Sequence, residues 1–222
     1  MKFRKREAPN YSLARNHKLL NNFVKRVLES RKDVFLDIAD IIVKCNSKDK
    51  FDKFYERYLS EWNERGIEDI HYLSLLWDLY KDSGDIGILR GRFLELLLYY
   101  MLRNEYDEVD MRCYVANNGK ESKKEVDVFG WDSKKNYGEF YECKVSYYKV
   151  DESEWIDYLD NLVEIDLMFG NKNIYGFASL EEDKAFFYFL KDIMGNKKGF
   201  NTALIIGKNG LYPEKFVKRK EG

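Results

Sequence analysis

The sequence predicts an α/β protein in which a mixed central β-sheet follows an all-helical N-terminal region. Three observations predict it. Up to about residue 83, apolar residues recur at helical spacing. Beyond about residue 105, short β-type runs alternate with two further helical stretches. Pro9 and Pro213 are the only prolines, so nothing between them reads as a proline-rich linker. The 222 residues suffice for a real core, and 45% hydrophobic and 16% aromatic content excludes disorder as a description of the whole chain.

The first helical stripes are Leu19, Leu20, Phe23, Val24, Val27 and Leu28, then Phe35, Ile38, Ala39, Ile41 and Ile42. Phe51, Phe54, Tyr55, Tyr58 and Leu59 form another, and Tyr72, Leu73, Leu75, Leu76 and Leu79 a fourth. Asn46-Ser47 reads as a cap and Gly66 as a helix end. A further helix is predicted over Ile86–Arg103. Strands follow at Val109–Ala116, Lys124–Trp131 and Gly138–Ser146, the last two joined by the turn-like Asp132-Ser133-Lys134-Lys135-Asn136. Then come a helix over Glu152–Phe169, a strand over Ile174–Ser179, a helix over Glu181–Ile193 and a strand over Thr202–Ile206. Residues 1–84 read as a helical region with a basic arm, 85–213 as the α/β domain and 214–222 as a basic tail.

Charge is unevenly placed. The totals are 38 Lys+Arg against 39 Asp+Glu, net −1, which excludes a uniformly basic nucleic-acid coat protein. Yet residues 1–32 hold ten basic residues and only Glu7 and Glu29 as acids, while the stretch from 33 to 213 is acidic. Basic ends suit a polyanionic partner or are solvated termini, and an acidic centre suits a metal. Cys45, Cys113 and Cys143 are odd in number and widely spaced, which argues against a disulfide framework or a zinc site and for a reducing, cytoplasmic setting. No uncharged run approaches the roughly 18 residues of a membrane span, so no membrane partner is expected.

The chemistry is carried by two strands and a helix. In Glu139-Phe140-Tyr141-Glu142-Cys143-Lys144-Val145 the period of two puts Tyr141, Cys143 and Val145 on one side and Glu142 with Lys144 on the other. In Glu125-Val126-Asp127-Val128-Phe129 both valines face one way and Asp127 the other. If the strands pair through the 132–137 turn, Asp127 meets Glu142. Two readings are open: a cross-strand ion pair on a solvated face, or a carboxylate site for a hard divalent cation with a lysine beside it. Glu95 is the only charged residue in Phe93-Leu94-Glu95-Leu96-Leu97-Leu98-Tyr99-Tyr100-Met101-Leu102. A carboxylate on so apolar a helix needs a partner. Either Arg92 supplies it at i−3, or Glu95 points at the same acidic cluster.

Glu95 on a helix, Asp127 on a strand and Glu142-Cys143-Lys144 on the next strand resemble the PD-(D/E)xK nuclease superfamily, over about residues 85–207. The resemblance implies a restriction-endonuclease-like core and Mg²⁺- or Mn²⁺-dependent hydrolysis of phosphodiester bonds in nucleic acid, DNA in the first instance. It implies that Asp127, Glu142 and the Cys143 backbone carbonyl hold the metal, that Glu95 supports it directly or through water, and that Lys144 handles the attacking water. A homodimer is an arrangement that many such enzymes use to cut both strands. Val126 stands where the name-giving proline would be. The acidic helix after the motif (Asp151, Glu152, Glu154, Asp157, Asp160, Glu164, Asp166) lacks a QxxxY-type signature, and its stripe Trp155, Tyr158, Leu159, Leu162 reads as packing.

Lys2, Arg4, Lys5 and Arg6, with Lys134 and Lys135 in the hairpin, are the residues expected to meet phosphate. His17 and His71 lie far from the motif and read as surface or core histidines. No GxxxxGK[ST], GxGxxG, GxSxG or HExxH is present. The alternative to an enzyme is a non-catalytic module of the same fold that binds nucleic acid or assembles with protein.

Overall fold

A computed structural model of the chain describes residues 2–5 and 18–218. Strand β1 (Lys2–Lys5) precedes five helices: α1 (Lys18–Glu29), α2 (Lys32–Lys44), α3 (Lys48–Glu64), α4 (His71–Asp82) and α5 (Ile86–Arg103). Then come β2 (Glu108–Asn117), β3 (Lys120–Glu121), β4 (Val126–Asp132) and β5 (Tyr137–Cys143), followed by α6 (Glu152–Met168), β6 (Ile174–Ala178), α7 (Asp183–Met194), β7 (Leu204–Ile206) and α8 (Pro213–Lys218). The described strands form one mixed sheet in the order β1-β2-β4-β5-β6-β7, with β3 paired to the end of β2. Pairing is antiparallel as far as β5, while β5, β6 and β7 run parallel. An α/β protein with helices first and a mixed sheet after them is what the periodicities predict, and α5 has the predicted bounds.

Local chemistry sets the element ends. Ser47 caps α3 by accepting from the Lys50 N–H, and Asp85 caps α5 by accepting from the Ile88 N–H at 3.0 Å. Asn118 and Gly119 both take positive φ between β2 and β3, as a two-residue hairpin turn of this hand requires. Pro213 opens α8, where its missing N–H costs nothing.

Two apolar clusters flank the sheet. One joins the N-terminal helices to Met111, Val128, Tyr141, Cys143 and Ala178. The other joins α6 and α7 to Val126, Phe129, Phe140 and Phe177 through Trp155, Leu159, Phe186 and Leu190. Every residue of β4 except Asp132 is therefore buried, and every residue of β5 except Tyr137. Strands β4 and β5, covered on both faces by helices, have no solvated side, so of the two alternatives the ion pair on a solvated face falls away. No helix among the described residues is long and apolar enough to cross a membrane.

Two end regions depart from expectation. Residues 2–5 form an edge strand, Lys2 opposite Ala116 and Lys5 opposite Cys113, instead of part of an all-helical region. Ten-residue β2 is longer than β4, and its outer edge takes a partner too short to show periodicity. Within the predicted basic tail, Pro213–Lys218 is a helix anchored by buried Phe216, while residues 219–222 lie outside the described residues.

The helical layer is tied together by Arg90 of α5. Its guanidinium is buried and donates to the Ile42 and Val43 carbonyls at the end of α2. The Tyr80 hydroxyl donates to the Cys45 carbonyl beside it at 2.7 Å. Arg90→Leu is expected to lower stability by about 3 kcal/mol, because it leaves two buried carbonyls unsatisfied. Urea unfolding at constant m-value checks this, and a change below about 1 kcal/mol would contradict it.

Candidate functional site

The predicted residues meet where β4 and β5 part company. The β4–β5 ladder ends with Val128 opposite Tyr141, and one further step brings Asp127 opposite Glu142. There the strands no longer bond to each other directly. Instead the Asp127 carboxylate accepts from the Cys143 N–H at 2.8 Å. The Lys144 ammonium donates to Glu142 and lies 3.5 Å from Asp127. The Lys144 N–H itself donates to the Ala178 carbonyl and so carries the parallel pairing with β6 one residue past β5. The site therefore sits at the carboxyl ends of the parallel strands, the edge where open α/β sheets place ligands.

Glu95 arrives from α5, which crosses this part of the sheet. It is 7% exposed and bonded to Arg92 on the same helix, so both alternatives weighed from sequence hold together: it has its i−3 partner, and it faces the cluster. Burial, then the charge of Asp127, push its carboxyl up to about 7 against the pull of Arg92 and Arg112. Burial and Asp127 likewise raise Glu142 well above the usual carboxylate range, with Lys144 opposing. Burial works against the Lys144 charge, but Asp127 and Glu142 outweigh it and hold the ammonium charged beyond its ordinary range. The Cys143 thiol is pushed up by burial and by the same carboxylates, which leaves its backbone carbonyl as the useful donor.

Sequence reasoning missed Tyr158. Its spacing places it in a packing stripe, of which Trp155, Leu159 and Leu162 are buried in the core. Tyr158 is half-buried, and its ring carries Lys144 Nζ at 4.4 Å and Lys124 Nζ at 4.7 Å from the ring centre. Its hydroxyl donates to Glu154, one turn earlier, at 2.8 Å. The signal in the sequence is that i, i+4 pair of Glu154 and Tyr158 on an otherwise strongly acidic helix.

The other predicted residues lie elsewhere. Lys134 and Lys135 occupy the β4–β5 turn, at the far end of both strands from the site, with Lys135 paired to Asp132 at 3.0 Å. Asp132 lies five residue steps along β4 from Asp127, roughly 17 Å. This removes the pair from the site's immediate surroundings, because the hairpin that aligns Asp127 with Glu142 necessarily puts its own turn at the other end. Lys2, Arg4 and Lys5 belong to edge strand β1, and Arg6 lies outside the described residues. A separate cavity of about 500 Å³, lined by Asp166, Lys172, Tyr175, Lys198 and Thr202 among others, contains none of the site residues.

Glu139 shows how differently a buried acid is managed three residues away on β5. It is fully buried and accepts from the hydroxyls of Tyr106, at 2.6 Å, and Tyr141. At the site, by contrast, Asp127 and Glu142 meet at Lys144, while Glu95, bonded to Arg92, feels the charge of Asp127. Among the described residues no group of three His, Cys, Asp or Glu side chains already stands in a metal-holding arrangement. The donors at hand (two carboxylates on adjacent strands and the Cys143 carbonyl) are hard oxygens, the type that Mg²⁺ and Mn²⁺ accept. Asp127 and Glu142 already share one cation, the Lys144 ammonium, so their oxygens fit a positive charge placed between them.

Comparisons with known proteins bear on the fold alone. No family model matches the chain and no curated protein matches it. Ten chains of solved structures do match. One is protein VC1899 from Vibrio cholerae, 14% identical with a TM-score of 0.51, the likeness covering 92% of this chain. The match spans 56% of that protein's length.

Asn161 of α6 fastens the helix that carries Tyr158 beneath Lys144. Buried, it accepts from the Lys124 N–H at 3.0 Å and donates back to the Lys124 carbonyl, clamping α6 to the start of β4. Asn161→Leu is expected to cost about 1–2 kcal/mol of stability, since the Lys124 N–H loses its partner while the Lys124 carbonyl keeps the Ser122 hydroxyl. Chemical denaturation tests it, and an unchanged midpoint would contradict the clamp.

Proposed function

We propose that the chain is a metal-dependent nuclease of the PD-(D/E)xK type, with a restriction-endonuclease-like core, that hydrolyses phosphodiester bonds in nucleic acid, DNA foremost. The observation that carries this reading is the meeting of Asp127, Glu142 and Lys144 at the carboxyl end of β5.

Asp127, Glu142 and the Cys143 carbonyl would hold the Mg²⁺ or Mn²⁺, with Glu95 behind them. When bound, the cation acidifies water and stabilises negative charge on the phosphoryl oxygens. Lys144 keeps its proton, so its part is to donate: it orients the attacking water and meets charge developing on the phosphate. Tyr158, beneath Lys144, limits where that ammonium can swing. Arg92 fixes the Glu95 carboxylate toward the cluster. The helices on both faces keep bulk water from these charges, which strengthens each interaction.

A second reading, a non-catalytic module of the same fold, has one observation in its favour: Lys144 and Arg92 already answer the carboxylates within the protein itself. Calorimetric titration with Mn²⁺ separates the two. The nuclease reading expects a binding heat that Asp127→Asn abolishes, and the module expects none. In parallel, labelled DNA and RNA in single- and double-stranded form are incubated with Mg²⁺. Asp127→Asn and Lys144→Ala are each expected to slow cleavage by about 100-fold or more while the circular dichroism spectrum stays unchanged. Cleavage undiminished in both variants would overturn the mechanism.

A further inference from the structure

Among the described residues, four that are not glycine adopt positive φ: Arg112 at 53°, Asn118, Asn136 and Asn171. The three asparagines lie between elements, and asparagine tolerates the left-handed region. Arg112 lies inside a strand and has no such excuse. A long, unbranched cation gains nothing locally from that backbone, and strain of this kind gathers at functional sites.

Its position is specific. The β2–β4 ladder pairs Met111 with Val128 and Cys113 with Val126, and the pair between them, Arg112 with Asp127, is missing. The side chains change faces there. Met111 and Val128 pack with the helical layer, whereas Cys113 and Val126 pack with α6 and α7. Both strands thus rotate at one point, and the two residues facing each other across that rotation are Arg112 and the Asp127 of the candidate site.

The Arg112 side chain leaves β2 at the register position opposite Asp127 and is partly open to solvent. Its charge is felt at Glu95, its Nε lies 3.8 Å from Glu125, and it is 37% exposed. Arg92, the other guanidinium near Glu95, is 5% exposed and bonded to that carboxylate. Lys144 is held by Glu142 and Asp127. Of these three cations, Arg112 has the most exposed side chain, 37% against 22% for Lys144, although its Nε is itself buried.

We propose that Arg112 is the phosphate-binding residue of this site, its guanidinium donating to the non-bridging oxygens of a phosphodiester brought to Asp127, Glu142 and Lys144. The left-handed backbone is kept because it aims the side chain there. A planar guanidinium grips a phosphate through two parallel hydrogen bonds and adds geometry that an ammonium does not. The inference rests on the nuclease reading and names how that site takes its substrate.

The decisive variant is Arg112→Gly, because glycine adopts this φ without penalty. It is expected to melt at or above the wild-type temperature while single-turnover cleavage of labelled DNA and RNA 20-mers in Mg²⁺ falls about 100-fold. Binding of the same oligonucleotides, read by anisotropy with Ca²⁺ replacing Mg²⁺, is expected to lose about one from its log–log salt slope. Arg112→Lys, which keeps charge but not the fork, should recover the slope and only part of the rate. Wild-type rate and slope in Arg112→Gly would overturn the proposal and leave the nuclease reading standing. A lower melting temperature that accounts for the lost rate would overturn it too, by making Arg112 structural. A wild-type protein that neither binds nor cuts any of the oligonucleotides would overturn the nuclease reading and this inference with it.

Discussion

Carboxylates brought together in a corner closed to water cannot all stay ionised unless positive charge comes with them. Asp127, Glu142 and Glu95 are in that position, and the surrounding structure answers it. Lys144 sits between two of the acids, Arg92 holds the third, and the Cys143 N–H takes the Asp127 oxygen that the strand ladder leaves open. The separation of β4 from β5, the crossing of α5 over the sheet and the face change in β2 all occur at this one place. Charge balance at the end of β5 is the constraint around which the middle of the molecule is arranged.

The same balance explains most of the acidic helix that follows the motif. Of the acids on α6, Asp157 and Glu164 pair with Lys124 and Lys123 at 3.0 Å each, Glu154 accepts from Tyr158, and Asp166 accepts from the Asn173 N–H. Glu152 and Glu154 also stand in the first turn, where the helix dipole favours them. These acids therefore fasten α6 to the β3–β4 connection and to the start of β6. They serve the site indirectly: α6 brings Tyr158 under Lys144, and its acids hold α6 in position.

Much of this was legible in the residues. The turn at 132–136 forces Asp127 and Glu142 into opposition once the two strands are recognised, and the apolar run around Glu95 announces a buried acid that needs company. Other features left no trace that periodicity reads. Four residues of β1 are too few to show alternation. Val126 and Val128 look alike in sequence yet pack on opposite sides of the sheet, because the strand rotates between them. That rotation falls opposite the positive φ of Arg112, and arginine as a residue type carries no preference for such a backbone. Burial of both sheet faces is a property of the whole chain, decided by α6 and α7 as much as by the strands themselves.

The central claim is that this cluster is built for a hard divalent cation, with Lys144 giving way to it. Anomalous diffraction from crystals grown with Mn²⁺ tests that most directly. The account predicts a single strong manganese peak between the Asp127 and Glu142 carboxylates and the Cys143 carbonyl, with Lys144 Nζ moved off Glu142. Manganese bound elsewhere or nowhere, with Lys144 still seated between the two carboxylates, would contradict it.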